Sequence, residues 1–423
     1  MALKVDLSIP VRMLLVFLTA ILCVSSPAHS EKNSEKNNDT GPKPDLRIPV
    51  EPLGYVSASS FYLTSRLSST SLDFIDKDHL LFTFRVPGLM KRLPDQRRDD
   101  EDQTIRAVVL ELPGGNVVAK TEWRMHDRSR YLWRLGEGRF LVRQRSNLFL
   151  TDTSLELKPY INSDTALQSV QLSPDRKLLV VESESKKENR PAVASAVPTL
   201  GDDPAPEPKP VQIYILRSDT RSVIARSETL NAVEIPMMAE GHLQATPGRE
   251  NRWLIRYLPF HGEERTLTEV QSYCHPAQET VSNDVTLVMT CPRSSNDHQV
   301  FAINLDGKTL WQQRWESRYI WPTFQLTQDG SRFAYSSLQV SHSVGIMDQI
   351  DETSIVHQMV GVFDTKTGQL RLAKNATPML SAGQNYTLSP DGLRFAILRE
   401  GAIEIYDLPP ATTPVPAEAH AGH

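Results

Sequence analysis

The chain has 423 residues, 39% of them apolar and 23% charged, which is enough apolar material to bury a large core and excludes wholesale disorder. Its formal net charge is -5 with no basic tract, so nucleic acid is excluded as a partner. Length alone fits either two or three ordinary domains or one long repeat array.

In chain order, residues 1–30 come first. Lys4 and Arg12 precede an apolar run from Met13 to Val24, and Ala28-His29-Ser30 follows it. Such a run makes a helix of roughly 18 Å, too short for a hydrocarbon core of ~30 Å but suited to the apolar region of a signal peptide. Residues 1–30 therefore read as an export signal cleaved before Glu31, leaving no transmembrane anchor and a periplasmic or secreted product. The alternative is lipid anchoring through Cys23, but Leu22 stands where a lipobox has Gly, Ala or Ser. Residues 31–52 are polar and punctuated by proline, and read as a flexible leader. Beyond the leader only Cys274 and Cys291 remain, and two cysteines in an exported chain are expected to form a disulfide.

From residue 53 to residue 410 the pattern is strand-like almost throughout. A short motif recurs: QLSPDRKLLVV from Gln171, QLTQDGSRFAYSS from Gln325 and TLSPDGLRFAIL from Thr387. Ser-Pro-Asp-Gly supplies a fixed φ, a side-chain acceptor and tolerance of positive φ, the chemistry of a tight turn between strands. Phe395, Ile397, Ile403 and Ile405 then alternate across a turn at Arg399-Glu400-Gly401, which predicts a hairpin. Weaker copies around Asp76, Gly136, Gly248 and Asp284 join Asp175, Asp329 and Asp391 to make seven anchors. Three segments of odd composition read as inserted loops: 86–104, 182–210 and 341–358. With these set aside, the anchors recur at close to the ~40–45 residue period of four-stranded propeller blades. Blade two serves as the template, with strands expected at Tyr131 to Leu135, Arg139 to Gln144, Asn147 to Asp152 and Leu155 to Tyr160.

The pattern of an LSPDG turn, an apolar strand and an I-x-[IV]-[YF]-D ending resembles WD-repeat-like and TolB-type β-propeller repeats. Val362-Phe363-Asp364 and Ile405-Tyr406-Asp407-Leu408 carry its second half. The fold expected is all-β: a seven-bladed β-propeller of four-stranded blades, with the ring closed by an N-terminal strand. Blade seven runs out at Pro409, so Tyr55 to Ser65 is expected to supply its fourth strand, and residues 411–423 to form a disordered tail.

Signatures of chemistry are sparse. The sequence contains no G-x-S-x-G, P-loop, H-E-x-x-H or C-x-x-C motif. Phe301 to Trp315 partly resembles the repeat of quinone-dependent propeller dehydrogenases, but it is a single copy without a quinone-contact cluster, and a strand, an Asp-Gly turn and a packed tryptophan account for it. His79 beside Asp76 and Asp78, and His275 beside Cys274, lack the partners of a metal site. Trp311, Trp315, Tyr319 and Trp321 form an aromatic cluster, either packing between blades or offering a binding platform. Asn38, Asn375 and Asn385 head glycosylation sequons. The expected function is a monomeric, exported binding or scaffolding module for a protein or other extracytoplasmic ligand, with no cofactor, metal or catalytic residue assigned. The alternative is a propeller enzyme, either a quinone-dependent oxidoreductase or a glycan hydrolase.

Overall fold

The computed structural model describes residues 42–56, 70–88, 102–126, 130–185, 210–238, 240–293, 295–345, 349–350, 352–381 and 384–411. Among these it contains seven antiparallel sheets of four strands each. Blade one holds β2 (Ser71–Phe74), β3 (His79–Val86), β4 (Gln103–Glu111) and β5 (Asn116–Met125). Blade two holds β6 (Leu132–Gly136), β7 (Arg139–Gln144), β8 (Asn147–Thr151) and β9 (Lys158–Asn162). Blade three holds β10 (Leu167–Leu172), β11 (Leu178–Glu184), β12 (Val211–Arg217) and β13 (Val223–Thr229), and blade four β14 (Met237–Met238), β15 (Gly241–Pro247), β16 (Arg252–Pro259) and β17 (Arg265–Gln271). Blade five holds β18 (Ala277–Thr280), β19 (Val285–Thr290), β20 (His298–Asn304) and β21 (Thr309–Trp315), and blade six β22 (Tyr319–Leu326), β23 (Arg332–Val340), β24 (Ile355–Asp364) and β25 (Leu370–Ala376). Blade seven joins β26 (Tyr386–Leu388), β27 (Arg394–Arg399) and β28 (Ala402–Asp407) to the N-terminal β1 (Leu46–Pro49). The fold is a seven-bladed β-propeller.

Period-two geometry sends successive side chains to opposite faces, and in a propeller both faces of a blade are covered by neighbours. On β3, Leu80, Phe82 and Phe84 pack on Ala396, Leu398, Ile403 and Ile405 of blade seven. Leu81 between them turns the other way, into a cluster with Leu132, Phe140 and Val142 of blade two. On β27, Phe395 and Ile397 likewise face blade six while Ala396 and Leu398 face blade one. Double-sided burial explains why the middle strands read as nearly continuous apolar runs. The outer strand β5 is covered on fewer sides and keeps Val117 and Val118 exposed.

The recurring motif forms the turn between the first and second strands of a blade. In blade three Ser173 Oγ donates to Asp175 Oδ1 (2.7 Å), Lys177 N donates to the same oxygen (3.1 Å), and Leu178 N donates back to Ser173 Oγ (2.9 Å). Blade seven repeats the set: Ser389 Oγ to Asp391 Oδ1 (2.6 Å), Leu393 N to Asp391 Oδ1 (3.1 Å) and Arg394 N to Ser389 Oγ (2.9 Å). Serine and aspartate thus replace the strand ladder where the chain reverses, and Gly330 and Gly392 follow at φ 68° and 69°.

Four expectations change. The strand that completes blade seven is β1, whose Leu46, Arg47, Ile48 and Pro49 pair with Ile405, Glu404, Ile403 and Ala402. It lies inside the stretch read as a leader, whose polarity concealed it because only Ile48 of its four residues is buried. Of Tyr55 to Ser65, only Tyr55 and Val56 belong to the described residues; Tyr55 is buried beside Phe82 and Phe84. The anchor at Gly248 marks the second turn of blade four, because the first strand there has only the two residues of β14 and its turn comes at Glu240. In blade two Leu155 takes φ 60° in a loop, so the fourth strand starts at Lys158.

Antiparallel order places every first-to-second turn on one rim. Every second-to-third loop falls on the opposite rim, together with the connections between blades. All three inserted segments join second to third strands, β3 to β4, β11 to β12 and β23 to β24, so they leave from the same rim. Most of their residues lie outside the described residues, as do residues 1–41 and 412–423.

Candidate functional site

Charged side chains from several blades meet at the inner strands. Arg134 on β6 is buried and donates through Nη1 to Leu388 O (2.8 Å) and through Nη2 to Leu326 O (2.8 Å). These carbonyls end β26 and β22, so one guanidinium ties blade two to blades seven and six. Asp73 on β2 is buried and accepts from Ser71 Oγ (2.9 Å). Burial pushes its carboxyl above the usual range, opposed by the charges of Arg134, Arg130 and Arg176. Arg176 follows Asp175 in the turn motif of blade three and reaches Leu326 O only at 3.4 Å. Burial and the charges of Arg134 and Arg130 bring its guanidinium down to about 9.

Arg130 stands at the start of blade two, donating Nε to Leu132 O (3.2 Å) with its guanidinium over the Trp133 ring. Glu279 on β18 is partly buried; desolvation and the neighbouring charge of Glu234 raise its carboxyl to about 8, against the pull of Arg130. It therefore holds a proton near neutral pH. Arg130, Arg134, Arg176, Glu234, Gln278 and Glu279 all line one cavity of about 160 Å³ among the inner strands. This set was not legible in the sequence, apart from one sign: Arg176 occupies the motif position that is glycine in blades six and seven.

The aromatic cluster divides. Trp311 and Trp315 share one face of β21 and pack into blade six, Trp311 donating Nε1 to Thr365 O (2.8 Å) and Trp315 lying 4.3 Å from Tyr335. Gly368 fits beneath Trp311 because a Cβ there would come within 2.6 Å of the indole. Tyr319 stacks with the Arg318 guanidinium, and Trp321 alone is well exposed, at 40%, in an irregular stretch of β22. The four residues therefore do not form one platform, because strand geometry commits two of them to the seam between blades.

Cys274 and Cys291 stand at disulfide distance, with Cα atoms 5.6 Å apart, joining the β17–β18 connection to the β19–β20 loop. His79 bonds to Asp76 (3.0 Å), and His275 packs edge-on against Trp253. Among the described residues no three His, Cys, Asp or Glu side chains group as a metal site. Asn385 is fully buried and bonded to Gln358 and Pro378, so this sequon is sequestered in the folded chain. Asn38 lies outside the described residues. No described helix is long and apolar enough to cross a membrane.

No protein-family model matches the chain, and no curated protein matches it. Among solved structures, it is similar to the acylaminoacyl peptidase of Pyrococcus horikoshii, with TM-score 0.49 and 11% identity over 85% of this chain and 54% of that one. The β-propeller domain of the Trilobed protease from Pyrococcus furiosus gives TM-score 0.45 and 10% identity over 84% and 99%. A putative TolB from Agrobacterium tumefaciens gives 0.37 and 13% over 70% and 94%. The chain spans about half the length of the peptidase. A WD40 domain is among the similar structures too, and the resemblance to propeller repeats is met by the chain's own seven four-stranded sheets.

Proposed function

We propose that the chain is an exported binding module that presents one rim of its propeller to a protein or other extracytoplasmic ligand. The observation carrying this reading is that blades one, three and six all place their long second-to-third connections on the same rim, while their first turns are tight and bonded to themselves. A rigid ring fixes the points from which such connections leave it. Arg130 and Glu234 belong to connections between blades and so stand on that rim too. The pattern of residues 1–30 and a cysteine pair at disulfide distance support export.

The test is to cross-link the full chain in its exporting host, purify it and identify bound partners by mass spectrometry. A variant with all three long connections replaced by short Gly-Ser links is carried alongside. The expected result is a mature chain beginning at Glu31 and a partner lost from the variant, whose thermal midpoint is kept. Retention of the same partner after trimming overturns the rim assignment, and lipidated Cys23 in the mature chain overturns the cleavage reading.

A further inference from the structure

The central cavity carries a second inference, which does not rest on the long connections. In blades six and seven the residue after the motif aspartate is glycine, at φ 68° and 69°; in blade three it is Arg176, at φ 65°. A non-glycine side chain in this region costs roughly 1–2 kcal/mol, and such strain gathers where a side chain is needed for function. Local bonding does not account for the arginine. Its Nη2 contact to Leu326 O is long, at 3.4 Å, and its Nε is buried with no acceptor. On the same cavity, Gln278 Oε1 is buried with no donor.

The electrostatics favour an anion. Arg134 is committed to two carbonyls, so its charge remains in the channel without a bonded carboxylate. Arg130 and Arg176 add two more cations; against these three stand the buried Asp73 and, on the cavity wall, Glu234, so the cations still outnumber the acids. Glu279, raised to about 8, presents a protonated carboxyl near neutral pH and adds little negative charge. A cavity of this volume matches one that encloses a ring of six carbon atoms in another protein.

We propose that this cavity is a binding site for a compact organic carboxylate that carries a hydrogen-bond donor on the neighbouring carbon, such as an α-amino or α-hydroxy acid. The carboxylate lies against Arg176 and Arg130, and the donor faces Gln278. The same chemistry is offered by a free acid and by the last residue of a peptide, whose amide N–H takes the donor position.

Calorimetric titration of the full chain with L-lactate, L-alanine, propionate and methylammonium tests the site, with a tetrapeptide ending in alanine as the other source. Lactate and alanine bind, propionate binds more weakly for lack of the donor, and methylammonium does not bind. Tighter binding of the tetrapeptide than of alanine assigns the site to a chain terminus, and the reverse assigns it to a free acid. Arg176→Gly weakens lactate binding by about tenfold or more, the ordinary effect of losing a charged hydrogen bond. The same substitution restores the motif glycine and holds or raises the thermal midpoint, which separates loss of binding from loss of fold. Gln278→Leu reduces lactate to the affinity of propionate and leaves propionate unchanged. Absence of carboxylate binding by the folded chain, or unchanged lactate affinity in Arg176→Gly, overturns the proposal.

Discussion

Removing the strand that completes blade seven tests the architecture most directly. The segment around β1 inserts Ile48, Val50, Leu53 and Tyr55 into the core shared by blades seven and one, each less than a tenth exposed. Four such side chains at about 1.5–3 kcal/mol each contribute roughly 6–12 kcal/mol. That range is comparable to the whole stability of an ordinary domain, about 5–15 kcal/mol. Starting the chain at residue 57 also leaves β28 as an open edge, inviting pairing with other copies. Urea unfolding followed by tryptophan fluorescence, with size-exclusion chromatography alongside, compares this chain with one starting at residue 42. The shorter chain is expected to lose its cooperative transition or to aggregate. A monomer with an unchanged unfolding midpoint would refute the closure and the reasoning from buried area.

Three further outcomes follow from buried polar groups and the cysteine pair. Arg332 is fully buried, bonded to Asp364 Oδ1 (3.0 Å) and to the carbonyls of Gly392 and Pro409, so Arg332→Met should cost about 3–5 kcal/mol in a denaturation experiment. A loss below about 1 kcal/mol would show that Arg371, which also pairs with Asp364, suffices alone. Reduction of the Cys274–Cys291 pair, or Cys274→Ser with Cys291→Ser, should lower stability by roughly 3 kcal/mol in the chain-entropy model; free thiols in the untreated protein would remove this pair as a covalent link. Glu279 binds its proton more tightly in the folded chain than an ordinary glutamate does at 4.5, so the folded state holds the extra proton from about that pH up to about 8. Stability should therefore fall as pH rises through this window and level off above it, by a few kcal/mol at most. Glu279→Gln should flatten that slope, and an unchanged slope would shift the cause to another buried acid such as Asp73.

Legibility followed the range of the interactions. The turn motif could be read because its bonds span at most five residues: Ser173 to Asp175, and Ser173 to Leu178. Three clear copies and weaker ones, with apolar strands between, pointed to the fold class and blade number even though the anchor in blade four falls on its second turn, since double-sided burial forces apolar residues onto both faces of the middle strands. Trp311, Trp315, Tyr319 and Trp321 could be read as one aromatic cluster but not divided into seam residues and the exposed Trp321, whose exposure depends on an irregularity in β22.

What the sequence by itself determined was local: where the chain turns, which strands are greasy on both sides, and which segments do not belong to the repeat. The tertiary structure decided whatever depends on closing the ring. Ile48 meets Ile403 across more than three hundred residues, and Arg134 reaches carbonyls of blades six and seven. Arg176 and Gln278 line one cavity although their blades are not adjacent. No local pattern encodes these meetings, because they arise only when seven wedges of fixed width bring the last blade back against the first.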